Sequence, residues 1–161
     1  MNTEHSRYVD PRGGRFAAWI TTAVLALVVL TRSPLLLAAQ TAIFCLGAVA
    51  GPRYSPYAAL FRLAKRVARL GPPAELEAEA PLRFAQGAGA AFGIAGATGF
   101  AAGSVVAGTT FAAAALVAAF LNAAFGICLG CEVYLVALRI AGRGAITRFV
   151  PTRTTFEGSS A

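Results

Sequence analysis

The sequence predicts an all-α polytopic membrane protein, with four transmembrane helices in two tight hairpins and a cytoplasmic amphipathic interfacial helix between them. Three observations carry this. Apolar residues make up 57% of the 161-residue chain and the mean hydropathy is +0.66, well above the roughly 45–50% apolar content of soluble domains. Charged residues are only 13% of the chain and are segregated, with none from Phe16 to Thr31, from Ser33 to Pro52 or from Phe84 to Cys131. All but Arg32 of the 14 Lys and Arg residues flank these runs on what the positive-inside rule makes one side of the membrane.

Residues 1–15 are polar and basic, and Asp10-Pro11-Arg12-Gly13-Gly14-Arg15 reads as a turn ahead of the first span, at about 16–31. No convincing small-x-small cleavage site precedes Pro34, so this run is expected to be a retained helix and not a signal peptide. Thr31-Arg32-Ser33-Pro34 makes the first tight turn, with Pro34 suited to open the second span, about 34–51.

Ser55-Pro56 is an N-cap followed by a first-turn proline, opening a helix over about 56–70. Its apolar face carries Tyr57, Leu60, Phe61, Ala64 and Val67, and its polar face Arg62, Lys65, Arg66 and Arg69. Those four bases are candidate lipid-binding residues, each worth about 1 kcal/mol near an anionic surface. Gly71-Pro72-Pro73 ends the helix, and Glu75, Glu77 and Glu79 read as a solvated linker or a strip that pairs with the basic helix.

The third span, about 84–102, carries GxxxG spacings at Gly89/Gly93 and Gly99/Gly103 that favour close helix packing. The fourth, about 109–131, ends in Cys128-Leu129-Gly130-Cys131-Glu132. These spans form one membrane domain over 16–138, with a basic cytoplasmic tail over 139–161. The N-terminal tail (Arg7, Arg12, Arg15), the central loop and the C-terminal tail (Arg139, Arg143, Arg148, Arg153) are thus expected in the cytoplasm.

Cys128 falls about 28 Å along a helix that starts at Thr109, at the cytoplasmic edge of the hydrocarbon. Two cysteines at i and i+3 share a helix face and offer thiol–disulfide exchange, one attacking and the other resolving. Late in a continuous helix, however, no helix N-terminus would activate Cys128, and Glu132, a candidate modulator, would raise a neighbouring thiol's pKa. Arginines from the tail or central loop would have to compensate. Cys45, below the same surface on the second span, is a candidate third partner. The competing reading is that all three cysteines pack as small hydrophobes.

A closed zinc site needs four ligands, and the sole histidine, His5, sits in a tail, so no metal or cofactor is expected. The basic charge, lacking an aromatic-studded surface, points to anionic lipid and away from nucleic acid. Gln86 and Asn122, the single amides of the third and fourth spans, are expected to hydrogen-bond between helices.

The chain resembles the bacterial integral membrane proteins of domain-of-unknown-function family 4395. The resemblance rests on Asp10-Pro11-Arg12, Ser55-Pro56-Tyr57, Leu76-Glu77 with Pro81-x-Arg83-Phe84-Ala85-Gln86, and Asn122-x-x-Phe125-Gly126-x-Cys128-x-Gly130-Cys131 with Tyr134. It implies a multi-pass protein of the bacterial inner membrane whose relatives carry the same cysteine pair. It also implies a thioredoxin-like or sulfurtransferase partner. Three functions stay open: thiol redox or sulfur handling through Cys128 and Cys131; a non-enzymatic membrane subunit or scaffold that docks a protein or lipid; and a small homo-oligomeric transporter. Whether the protein is an enzyme is left open.

Overall fold

The computed structural model describes residues 8–142 and 148–151. Strand β1 (Tyr8–Val9) leads into helices α1 (Pro11–Thr31) and α2 (Pro34–Val49). A short 3-10 turn, Pro52–Tyr54, then joins α3 (Pro56–Val67). Strand β2 (Glu75–Ala78) runs directly into α4 (Glu79–Ala101), followed by α5 (Val105–Phe125), α6 (Leu129–Ile140) and β3 (Phe149–Pro151). His5, Arg7, Arg143 and Arg153 lie outside the described residues.

Local chemistry explains the boundaries. Asp10 accepts the Arg12 amide at 3.1 Å and caps α1, and Ser33, Ser55 and Ser104 cap α2, α3 and α5 in the same way. Proline fills the first turn of α1, α2 and α3. Arg83 reaches across from α4 to the last carbonyls of α2, those of Ala48 at 2.9 Å and Val49 at 2.6 Å, where a cation suits the negative end of the helix.

The expectation of four transmembrane helices in two hairpins is corrected. Only α1 and α5, each of 21 residues, are long and apolar enough to cross a membrane among the described residues. Helix α2 is apolar but has 16 residues, about 24 Å against a hydrocarbon core of about 30 Å. Helix α4 is long enough, but Glu79, Arg83, Gln86 and the glycines at 87, 89, 93, 96 and 99 dilute its hydropathy. Run length without charge does not separate a glycine–alanine packing helix from a lipid-facing one.

In α1 and α5 only 22% and 17% of the apolar window is buried, where a soluble core helix would be mostly buried. Large side chains such as Trp19, Leu30, Val106 and Val117 point outward. The interior is built from Leu25, Val28, Leu37 and Phe44 against the alanines Ala90, Ala112 and Ala115. This arrangement of bulky exterior and small-residue seams is that of helices packed in lipid.

The seams are close. A Cβ added at Gly93 would collide with the Thr41 side chain of α2, and one at Gly99 would lie 2.8 Å from the Gly108 amide of α5. The GxxxG spacing of α4 therefore serves two faces, Gly89 and Gly93 against α2 and Gly99 against α5, while Gly103 turns the chain at φ +79°.

One feature the sequence did not announce is a three-stranded antiparallel sheet, in the order β1-β2-β3. Val9 pairs with Glu77, and Glu77 with Phe149. The supposed linker at 75–79 is thus the central strand and the start of α4, and it gathers the N-terminal, middle and C-terminal segments at one end of the bundle. Helix α3 docks at that end: Lys65 Nζ donates to Asp10 at 3.0 Å, and Phe61 packs on Phe16 with ring centroids 5.6 Å apart.

Candidate functional site

The fourth span is not one helix. The Gly126 amide donates to the Asn122 carbonyl at 3.0 Å, and Gly126 takes φ +72°, which ends α5 at Phe125. A left-handed residue of this kind is a standard helix stop. Chain direction changes over Ile127, and α6 starts with Cys128 at its N-cap. The cysteine pair therefore lies outside the spans, on the first turn of a new helix. The reading of Cys128 as late in a continuous helix is corrected by this break.

Both thiols are buried, Cys128 at 6% and Cys131 at 0% exposure, among Leu82, Val9 and Ala85. All three cysteines are free. Cys131 Sγ donates to Cys128 Sγ at 2.6 Å. That hydrogen bond is the main influence holding Cys128 below the ordinary thiol range; the Cys131 backbone amide and the Arg148 charge add to it, against burial and the Glu77 charge. The same hydrogen bond, followed by burial, pushes Cys131 far up, so that it stays protonated. The two thiols are thereby differentiated, Cys128 as the more acidic and Cys131 as the one that keeps its proton.

The charges come from the sheet. Arg148 Nε donates to Glu77 at 2.7 Å and its Nη1 to Glu132 at 3.2 Å, while the guanidinium lies over the Phe149 ring, 4.9 Å from its centroid. Glu77 is 3% exposed. Burial raises its pKa, and the hydrogen bond and charge of Arg148 draw it back. Glu132, largely exposed, is ion-paired to the same Arg148 that holds Glu77.

Helix α6 is held on α4 by Gly130, where an added Cβ would lie 2.6 Å from Ala85 Cα. Because that neighbour is backbone, Gly130→Val must displace α6. It is expected to cost about 1–3 kcal/mol, the usual penalty of overpacking, read as a lower midpoint of thermal unfolding. An unchanged midpoint would mean that α6 is free to shift.

The residues singled out from the sequence do not all come together. Cys128, Cys131 and Glu132 share the site. Cys45 does not: it packs against the bundle core of Leu25 and Phe44, apart from the cluster around the pair. Arg62, Lys65, Arg66 and Arg69 line a shallow cleft of about 430 Å³ on α3. Lys65 is ion-paired to Asp10, whereas Arg66 and Arg69 have no acidic partner among the described residues. Gln86 and Asn122 make no side-chain hydrogen bond among the described residues, contrary to the interhelical role expected of them. Among the described residues, no three His, Cys, Asp or Glu side chains cluster to hold a metal.

Glu77 belongs to the site without having stood out in the sequence, whereas Arg148 is one of the tail arginines expected to offset the acid beside the thiols. A signal for Glu77 was present in the two-residue alternation of Glu75, Glu77 and Glu79, which is the period of a strand.

Two apolar spans and a buried dithiol at a helix N-terminus define a membrane-associated helical protein. The chain belongs to the family described as Domain of unknown function (DUF4395), whose model matches residues 9–139. Comparison with curated proteins and with solved structures gives no match.

Proposed function

We propose that the protein carries out thiol–disulfide exchange at the membrane surface, with Cys128 as the attacking thiol and Cys131 as the resolving one. The observation that carries this reading is the placement of both cysteines on the first turn of α6 with their sulfurs 2.6 Å apart. Helix N-termini and nearby cations stabilise a thiolate, and a thiolate is the nucleophile in exchange.

In the forward direction Cys128 attacks a sulfur of a partner's disulfide, forming a mixed disulfide and releasing one partner thiolate. Cys131 then loses its proton and attacks Cys128 Sγ, forming the internal disulfide and releasing the second partner thiolate. The partner is reduced by two electrons and the pair is oxidised by two. A thioredoxin-like protein or a sulfurtransferase carries a sulfur suited to the first step. The sheet gathers segments from before α1, before α4 and after α6 at one end of the bundle, near the thiols and the basic residues of α3, and that basic end suits the cytoplasmic face of the bacterial inner membrane. There Arg66 and Arg69 face anionic headgroups, anchoring α3.

A thiol probe applied to membranes before and after reduction tests this. Cys131→Ser is expected to accumulate a mixed disulfide with its partner, and Cys128→Ser to accumulate none. Thiols that stay free and unreactive in oxidised membranes would sink the reading.

A further inference from the structure

Small residues on α1, α4 and α5 leave a cavity of about 680 Å³ between the spans. Its walls include Ala17, Ala88, Ala114 and Ala118, and it extends from the polar end beside α3 to Cys128. The size is that of a pocket for a small organic molecule. Against this apolar surface stand three carboxamides, Gln40, Gln86 and Asn122.

The amides are the unexplained feature. Gln40 is 1% exposed; its oxygen accepts from Tyr57 OH at 2.6 Å, but its buried Nε2 has no partner among the described residues. Gln86 and Asn122 have no side-chain partner among them either. A buried N–H donor left unmet, as Gln40 Nε2 is, costs free energy. An occupant that meets the half-buried Gln86 and Asn122 on this wall has an apolar body and carbonyl oxygens. Because Cys128 lines the cavity, with Cys131 buried behind it and hydrogen-bonded to it, the occupant is in reach of two-electron chemistry.

We propose that the cavity is a quinone site and that a lipid-soluble quinone is the electron acceptor for Cys128 and Cys131, an inference that rests on the exchange reading above. The Cys128 thiolate adds to a ring carbon, forming a C–S bond and placing the negative charge on a ring oxygen. Cys131 then attacks Cys128 Sγ. The S–S bond forms, the C–S bond breaks, and its electron pair returns to the ring. The proton released by each thiol ends on a ring oxygen. Two thiols and one quinone thus become one disulfide and one quinol.

The test uses the full chain in detergent, reduced and kept anaerobic, with decylubiquinone as the probe. Binding is measured on Cys128→Ser/Cys131→Ser, which cannot turn over, and electron transfer on the wild type as disulfide formed per quinol. Saturable binding and equal yields of disulfide and quinol are expected. Ala118→Phe, which fills the cavity, and Asn122→Leu, which removes an amide that holds no protein hydrogen bond among the described residues, are each expected to weaken binding about tenfold, or roughly 1.4 kcal/mol. Both variants should still exchange with oxidised glutathione at the wild-type rate.

Normal glutathione exchange without saturable quinone binding overturns the quinone site and leaves the exchange reading standing. Binding displaced by phospholipid, with no electron transfer, overturns it equally and makes the cavity a lipid hole. Failure of the wild type to exchange with glutathione removes the exchange reading itself, and the acceptor with it.

Discussion

Arg148→Ala is expected to unfold the sheet end of the protein and to slow alkylation of Cys128 in one step. Arg148 is the partner of Glu77, a carboxylate only 3% exposed. Removing one member of a buried pair leaves the other charge uncompensated, at a cost of about 3–5 kcal/mol. The effect on the thiol has a definite sign. Arg148 lowers the Cys128 pKa and Glu77 raises it, so Arg148→Ala shifts the pH profile of Cys128 alkylation to higher pH and slows labelling at neutral pH. Glu77→Gln shifts it the other way.

Because Arg148→Ala risks misfolding, the pair of leucines Glu77→Leu/Arg148→Leu is the informative companion. Apolar replacement of a buried pair is often close to neutral in stability. The double variant should melt near the wild type, with an alkylation profile between those of the two single variants. If Arg148→Ala left both the melting temperature and the profile where they were, the ion pair would not couple the sheet to the thiols.

What could be read from the sequence divides along physical lines. Caps and prolines marked the starts of α2 and α3, because those signals are local: Ser33-Pro34 and Ser55-Pro56 satisfy the backbone amides of their own first turns. Membrane association was legible from hydropathy, which needs only composition and run length. The number of spans was not. Helix α4 owes its glycines to α2 and α5, and the difference between a packing helix and a spanning one lies in those partners. Nor was the charge cluster legible, since Glu77 and Arg148 are joined by strand pairing across 71 positions. The Cys-x-x-Cys spacing stood out at once. Its environment did not, because that depends on whether the chain stays helical through Gly126.

This dependence yields the second large effect. Gly126→Val is expected to destabilise the protein by about 1–2 kcal/mol, the cost of forcing a side chain into the left-handed region. The penalty is conformational and not steric, because nothing lies within 4 Å of an added Cβ at this position. To escape it the chain can carry α5 through residue 126, and Cys128 then becomes an interior residue of a long helix. Its sulfur loses the free amides of the α6 first turn and its alignment with Cys131 and Arg148. Alkylation of Cys128 at neutral pH should therefore slow in Gly126→Val. Asparagine tolerates the left-handed conformation far better than valine, so Gly126→Asn should retain most of both stability and labelling rate. Equal behaviour of the valine and asparagine variants in thermal melting and alkylation would mean that the helix break does not position the thiol. A split between them would tie the labelling rate of the pair to one backbone torsion, the one that turns the end of a lipid-facing helix into the start of the helix that carries the cysteines.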